Sequence, residues 1–160
     1  MVARNLILSV LALQQGLLCA GEIIEYPTQT FLDVPTRVTC STGTGNIEYS
    51  QDDVIKTLQA AWSHREKPIG PPDKAAYPHQ YYGDPTYFGG CVKPLLEFPL
   101  FRTHPYQGGD PSHVRVIYNE LGGPDNNIRY CGTLIHKKKG NDFNRCIDAQ
   151  KANFEVWGDL

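Results

Sequence analysis

Only one stretch of this chain carries a helical period, and it narrows what the rest can become. In "SQDDVIKTLQAAWSHR", Ser50 stands as the N-cap and Asp52 and Asp53 fall in the first turn. Val54, Leu58, Ala61 and Trp62 then recur as an apolar stripe. "KPIGPP" stops the helix, because Pro68, Pro71 and Pro72 cannot continue it. Everything after reads as short strands near 77–82, 94–100, 113–119, 128–136 and 142–147. Glycine and proline turns part them: "GDPTYFGG", "QGGDPS", "GGPDNN" and "KKKGN". One helix followed by a run of strands predicts an α+β domain, with one N-terminal helix packed on a curved antiparallel sheet of about five strands.

The two ends of the 160-residue chain read differently from its middle. Residues 1–20 have the form of a signal peptide. One positive charge in "MVARN" precedes "LILSVLALQQGLL", which is too short and too interrupted to span a bilayer, and "CAG" offers cleavage after Ala20. A lipid anchor on Cys19 is disfavoured by the bulk of Leu18. The domain is expected over 21–146, followed by an extension, "IDAQKANFEVWGDL" at 147–160, whose structure the sequence leaves open. A secreted protein with no membrane partner is the expectation.

Export settles the chemistry of the cysteines. Removing the leader leaves Cys40, Cys91, Cys131 and Cys146, an even set that reads as two disulfides in an oxidising compartment. Their spacing leaves all three pairings open. It does not suit a metal site, since no CxxC pair occurs and the gaps are wide. With Arg4 gone with the leader, 14 basic side chains face 17 acidic ones. Bulk charge therefore excludes a general nucleic-acid coat, and any phosphate polymer must be held by a few placed cations. The "KKK" run at 137–139 is one candidate, although such runs are usually solvated loops.

Four stretches put polar groups where an ordinary strand would carry none. "YPHQYY" sets His79 among tyrosines behind Pro78, and taken alone reads as a half-buried edge strand. "LLEFPLF" puts Glu97 in an apolar strand, on the face of Leu95 and Pro99 and opposite Leu96, Phe98 and Leu100. "SHVRVIYNE" places Arg115 with His113 and Ile117, opposite Val114, Val116 and Tyr118. "CGTLIHKKKGNDF" ends a strand in His136. A carboxylate, a guanidinium and two imidazoles on neighbouring strands suit one reaction class. Cleaving a phosphodiester beside a 2′-hydroxyl needs a base for that hydroxyl, an acid for the departing 5′-oxygen, and cations around the phosphoryl oxygens. No metal or other cofactor is required. Peptide hydrolysis fits less well, because no serine or cysteine nucleophile is signalled by its surroundings.

"YPHQYY", "EFPL", "RVIYN" and a histidine before a Gly-Asn-Asp-Phe loop resemble the secreted fungal guanyl- and purine-specific ribonucleases, from about Tyr49 to Cys146 and including "YSQDDV". The resemblance implies single-stranded RNA as substrate, with Glu97 as general base and His136 as general acid. It further implies that protonated His79 orients Glu97, that Arg115 and Tyr77 contact the phosphate, and that Phe143 packs against it. The products would be a 2′,3′-cyclic phosphate and then a 3′-phosphate. Cys40–Cys146 and Cys91–Cys131 are the disulfides it implies, with Cys131 five residues before His136. For the base, it points to stacking on Tyr81 or Tyr82 and a contact from Asn141. Pro85 stands where the guanine-binding glutamate is expected, and Asp84 lies one residue early. A purine preference without strict guanine selectivity follows, as in the purine-preferring branch. A monomer is expected. The ribotoxin branch is disfavoured by the short loop between His79 and Glu97 and by the acidic chain. A ribonuclease-like effector or toxin acting on a host target is the alternative from another class.

Overall fold

The computed structural model describes residues 29–71, 75–123, 126–137 and 142–156. The expected leader, Asn141 and two of the three lysines at 137–139 lie outside the described residues. The helix, α1 (Gln51–Ser63), starts where its capping chemistry puts it. Ser50 Oγ accepts from the Asp53 backbone N–H at 3.2 Å, and the Asp53 carboxylate accepts from the Ser50 N–H at 2.8 Å, a reciprocal box that satisfies both donors. The second Asp53 oxygen accepts from the Thr103 N–H at 3.0 Å, so the cap also anchors a distant loop. Val54, Leu58 and Ala61 are buried as the stripe requires. The fourth buried position is Thr57, whose hydroxyl is satisfied by the Asp53 carbonyl at 2.7 Å. Trp62 is only partly covered and carries the Arg65 guanidinium 3.9 Å above its ring.

Five strands stand near their expected places: β4 (His79–Gln80), β5 (Leu96–Pro99), β6 (Val114–Gly122), β7 (Asn127–His136) and β8 (Phe143–Arg145). Three more precede the helix, namely β1 (Gln29–Pro35), β2 (Arg37–Thr42) and β3 (Gly45–Ser50), and two follow in the tail, β9 (Ile147–Asp148) and β10 (Lys151–Val156). These correct the expected five-stranded sheet. The main sheet has seven strands in the order β10-β1-β7-β6-β5-β4, with β8 also on β7, and a second sheet runs β3-β2-β9. Nor is the main sheet wholly antiparallel, since β1 runs parallel to β7, and most of it is not curved. The reason is that the sheet grows at its β7 edge: β1 docks there and β10 from the tail covers β1 in turn, so neither strand needs the long alternation of a free half-buried one.

The sheet separates two cores. On one face α1 buries Val54, Leu58 and Ala61 against Phe98, Leu100, Val116, Tyr118 and Tyr130. On the other, the loop after β4 folds back so that Tyr81, Phe88 and Leu95 cover Ile117, Leu134 and Cys131. That second layer depends on Gly132. A Cβ there would meet the Phe88 ring at 2.8 Å, so only glycine lets the loop press onto β7. Disulfides join Cys40 to Cys146 and Cys91 to Cys131, the first tying the β2–β3 sheet to the strand ends and the second tying the loop to β7. Among the described residues no helix is long and apolar enough to cross a membrane.

Candidate active site

Strand register brings the polar groups to one face. His79 of β4 pairs with Glu97 of β5, Glu97 with Ile117 of β6, Arg115 with Leu134 of β7, and His136 with Phe143 of β8. Alternation along each strand then aims His79, Glu97, Arg115, His136 and Phe143 away from the helix, across five adjacent strands.

Glu97 is 8% exposed and Arg115 3%, so both are charges held out of water. His79 Nε2 lies 3.2 Å from Glu97 Oε1, and His79 Nδ1 lies 3.0 Å from the Gln80 carbonyl. Both ring nitrogens thus face acceptors, which only the imidazolium serves in full. Glu97 Oε2 is buried with no donor. Burial raises the Glu97 carboxyl above its ordinary range, against the opposing pull of His79 and Arg115. Arg115 donates from Nε to the Tyr77 hydroxyl at 3.1 Å and from Nη1 to the Pro111 carbonyl at 2.8 Å, with further bonds to Ser112 and Val114. Among the described residues no carboxylate comes within ion-pair distance of it. A guanidinium buried this deeply without a counter-anion is costly unless an anion arrives.

His136 ends β7 with its ring centroid 4.1 Å from that of Phe143. Burial, and then the cations Arg115 and His113, hold its imidazole down to about 4. Tyr77 is buried against Phe98 and Tyr106, 4.6 Å from the His79 ring. The groups can thus accept a proton at Glu97, deliver one from a protonated His136, and bind an anion at Arg115 between them.

The residues proposed for the base are more scattered. Tyr81 is buried at 6% exposure and packs edge-on against Phe88 and Phe143, so its ring faces the core. Tyr82 is 84% exposed. Asp84 caps its own turn, Oδ1 accepting from the Thr86 N–H at 2.9 Å, and that bond keeps its carboxyl low. Two residues that hold this loop carry no role in the sequence reading. Buried Asn119 on β6 accepts from the Val92 N–H at 3.1 Å and donates to the Pro94 carbonyl at 2.7 Å. Arg145 on β8 donates to the Tyr87 carbonyl. An asparagine inside the apolar run "RVIYN" was a legible signal for the first, whereas nothing in the sequence marks Arg145.

A family model described as ribonuclease matches residues 36–147. Guanyl-specific ribonuclease T1 of Aspergillus oryzae (strain ATCC 42149 / RIB 40) is 30% identical over 121 residues, covering 73% of this chain and 88% of that protein. A solved ribonuclease from Hericium erinaceus, RNase He1, is 31% identical and covers 68% of this chain and 98% of its own, with a TM-score of 0.44.

Proposed function

The chain belongs to the ribonuclease family, and from that premise we propose that it is an exported endoribonuclease cleaving single-stranded RNA 3′ to purines. The exported domain is taken as residues 21–146, with 1–20 as its leader and 147–160 as an extension. Two disulfides support export.

The observation that carries the reading is a pair of unmet demands on one face: buried Arg115 without a counter-anion and buried Glu97 Oε2 without a donor. A phosphodiester answers the first and its neighbouring 2′-hydroxyl the second. Glu97 then removes the 2′-proton, and the 2′-oxygen attacks phosphorus. The P–O5′ bond breaks as His136 gives its proton to the 5′-oxygen, leaving a 2′,3′-cyclic phosphate. Water, activated by the reverse proton transfers, hydrolyses that ester to a 3′-phosphate. His79 orients Glu97 at 3.2 Å, Arg115 and Tyr77 hold the phosphoryl oxygens, and Phe143 beside His136 keeps water off the leaving group.

His136 must be protonated to act, yet in the free protein Arg115 helps to deprotonate it. The phosphate resolves this, because its charge offsets that of Arg115 and restores the imidazolium in the complex. For the base, exposed Tyr82 offers a stacking face of the kind that suits any base and favours larger ones. Pro85 offers no side-chain acceptor, and Asp84 is engaged with Thr86. A site without a fixed carboxylate loses the means to reject adenine. The effector alternative gains no support, since Tyr77, His79, Glu97, Arg115 and His136 are all present in the sequence, whereas a decoy that only binds has no need of the full acid–base set.

Kinetics on the four dinucleotides NpC test this reading. Guanosine and adenosine substrates are expected to be cleaved within about a thousandfold of each other, on the scale of discrimination by a hydrogen-bonding site, and both well above the pyrimidines. Pyrimidine substrates cleaved as fast as purines would refute the preference.

A further inference from the structure

The loop after β4 carries the groups assigned to the base, and the C-terminal extension reaches it through two arginines. The stretch of that loop with Tyr82 and Asp84 is held at both ends. At the first end, the Tyr81 N–H donates to the Leu95 carbonyl at 2.8 Å. At the second, Arg145 of β8 donates to the Tyr87 carbonyl, with its guanidinium 5.9 Å from the Phe88 ring. We propose that Arg145 and Asp148 are positioning residues for the nucleotide 5′ to the cut: Asp148, in the extension, fixes Arg145, and Arg145 fixes the loop that the base meets. The proposal rests on the ribonuclease reading above and gives the extension a part in substrate recognition. Its gain lies in affinity, since a loop already in place need not be ordered when the base binds.

Asp148 is suited to hold a surface arginine. Two exposed side chains gain little from an ion pair, because both must be ordered to make it. Here one partner is ordered beforehand. The Asp148 side chain is 7% exposed, its residue pairs with Val38 between β9 and β2, and its Oδ1 accepts from the Tyr130 hydroxyl at 2.6 Å. Oδ2 is buried and, among the described residues, accepts no hydrogen bond. It faces two cations instead, Lys151 Nζ at 3.6 Å and Arg145 Nη2 at 4.0 Å. A buried carboxylate oxygen in that state is costly unless a cation stays near it, and this keeps Arg145 within reach of Tyr87.

A second relay of the same form runs alongside. Arg129 of β7 donates to the Gly90 carbonyl at 3.2 Å, and its Nε lies 3.1 Å from Asp33 Oδ2 on β1. Asp33 sits at a bulge with φ 59°, a conformation uncommon for any residue but glycine. Its N–H donates to Asn153 Oδ1 of β10 at 3.0 Å, so the extension braces this carboxylate as well. Two carbonyls three residues apart in one loop are thus tied to Asp148 and Asn153. Both lie beyond the residues 36–147 that match the family. The Arg129–Asp33 pair is the more exposed of the two at its carboxylate end, so Arg145 carries the test.

The test uses the full chain and two readouts. On the four dinucleotides NpC, Arg145→Gln is expected to raise KM for the purine substrates about tenfold, the scale of one charge-assisted hydrogen bond, with kcat within about twofold of wild type. Asp148→Asn is expected to raise KM several-fold, and the double variant no further than Arg145→Gln alone, because the two residues act in series. Losses of kcat on purine and pyrimidine substrates alike would show a merely structural role and overturn the assignment. So would single-variant effects that multiply in the double variant. Amide hydrogen exchange reads the same relay without substrate: amides of residues 82–90 are expected to exchange faster in Arg145→Gln, while those of β6 keep their wild-type protection. Unchanged exchange in that loop would overturn the relay. Wild-type protein inactive on all four dinucleotides would instead sink the ribonuclease reading, and the exchange result would then decide the relay by itself.

Discussion

Binding of a purine 3′-monophosphate is expected to raise the titration midpoint of His136 by about two pH units, the size of one nearby charge in a partly buried site. In the free protein burial comes first among the causes that hold the imidazole near 4, followed by the positive charges of Arg115 and His113. A phosphate seated on Arg115 leaves the burial but opposes the cations. A negative charge about 5 Å from the ring, at an effective dielectric constant of about 20, is worth about 3 kcal/mol. At about 1.4 kcal/mol per pH unit this gives the shift of about two. The assay is an NMR titration of the histidine ring signals, assigned with His136→Gln, with and without adenosine or guanosine 3′-phosphate. A free-state midpoint at the ordinary imidazole value, or a midpoint unmoved by a nucleotide that binds, would refute the electrostatic argument. Kinetics follow with a definite sign. Since Glu97 is raised and His136 lowered in the free protein, kcat/KM is bell-shaped with an acidic optimum, and the alkaline limb of kcat lies at higher pH than that of kcat/KM. Stability carries the same signature. As pH falls from the ordinary histidine range toward 4, the unfolded chain takes up a proton that folded His136 refuses, so this group withdraws stability across that window.

Glu97→Gln removes the base but leaves Arg115, so turnover should fall about 10²–10⁴-fold while binding of a purine 3′-phosphate, measured by calorimetry, is retained. Because burial disfavours the ionised carboxylate, the same variant should melt higher than wild type at neutral pH; a lower Tm would contradict the raised pKa. Cys40–Cys146 spans 106 residues and Cys91–Cys131 spans 40, so on the chain-entropy model their removal costs about 5 and about 4 kcal/mol, readable by denaturant melts of paired Cys→Ala variants. Prolonged chelation should leave activity unchanged, because the proposed acid and base are side chains; loss restored by a divalent cation would contradict that assignment.

The site was more legible than the sheet that carries it. Glu97 and Arg115 announced themselves as charges at inward positions of apolar strands, and period-two alternation alone puts them on a common face. Their burial and their missing partners were not legible, because both are set by groups distant in sequence or in loops: His79 beside Glu97, and Tyr77 with the Pro111, Ser112 and Val114 carbonyls around Arg115. The β2–β3 hairpin before the helix does carry a local signal, since "RVTCSTGTGNIEY" has two β-rich runs around a Thr-Gly-Thr-Gly turn. β10 could not be read because its pairing partner, β1, lies more than a hundred residues away and no local pattern encodes that contact. Tyr81 looked like an open stacking face and proved to be core, since aromatic character does not say which way a ring is turned.

Phosphorus NMR of a purine-p-cytidine dinucleotide incubated with the purified protein tests the central claim most directly. The account predicts that the diester resonance gives way first to a 2′,3′-cyclic phosphate and later to a 3′-monophosphate, with both steps lost in Glu97→Gln. Release of a 5′-phosphate with a free 3′-hydroxyl, or cleavage that never passes through the cyclic ester, would contradict it.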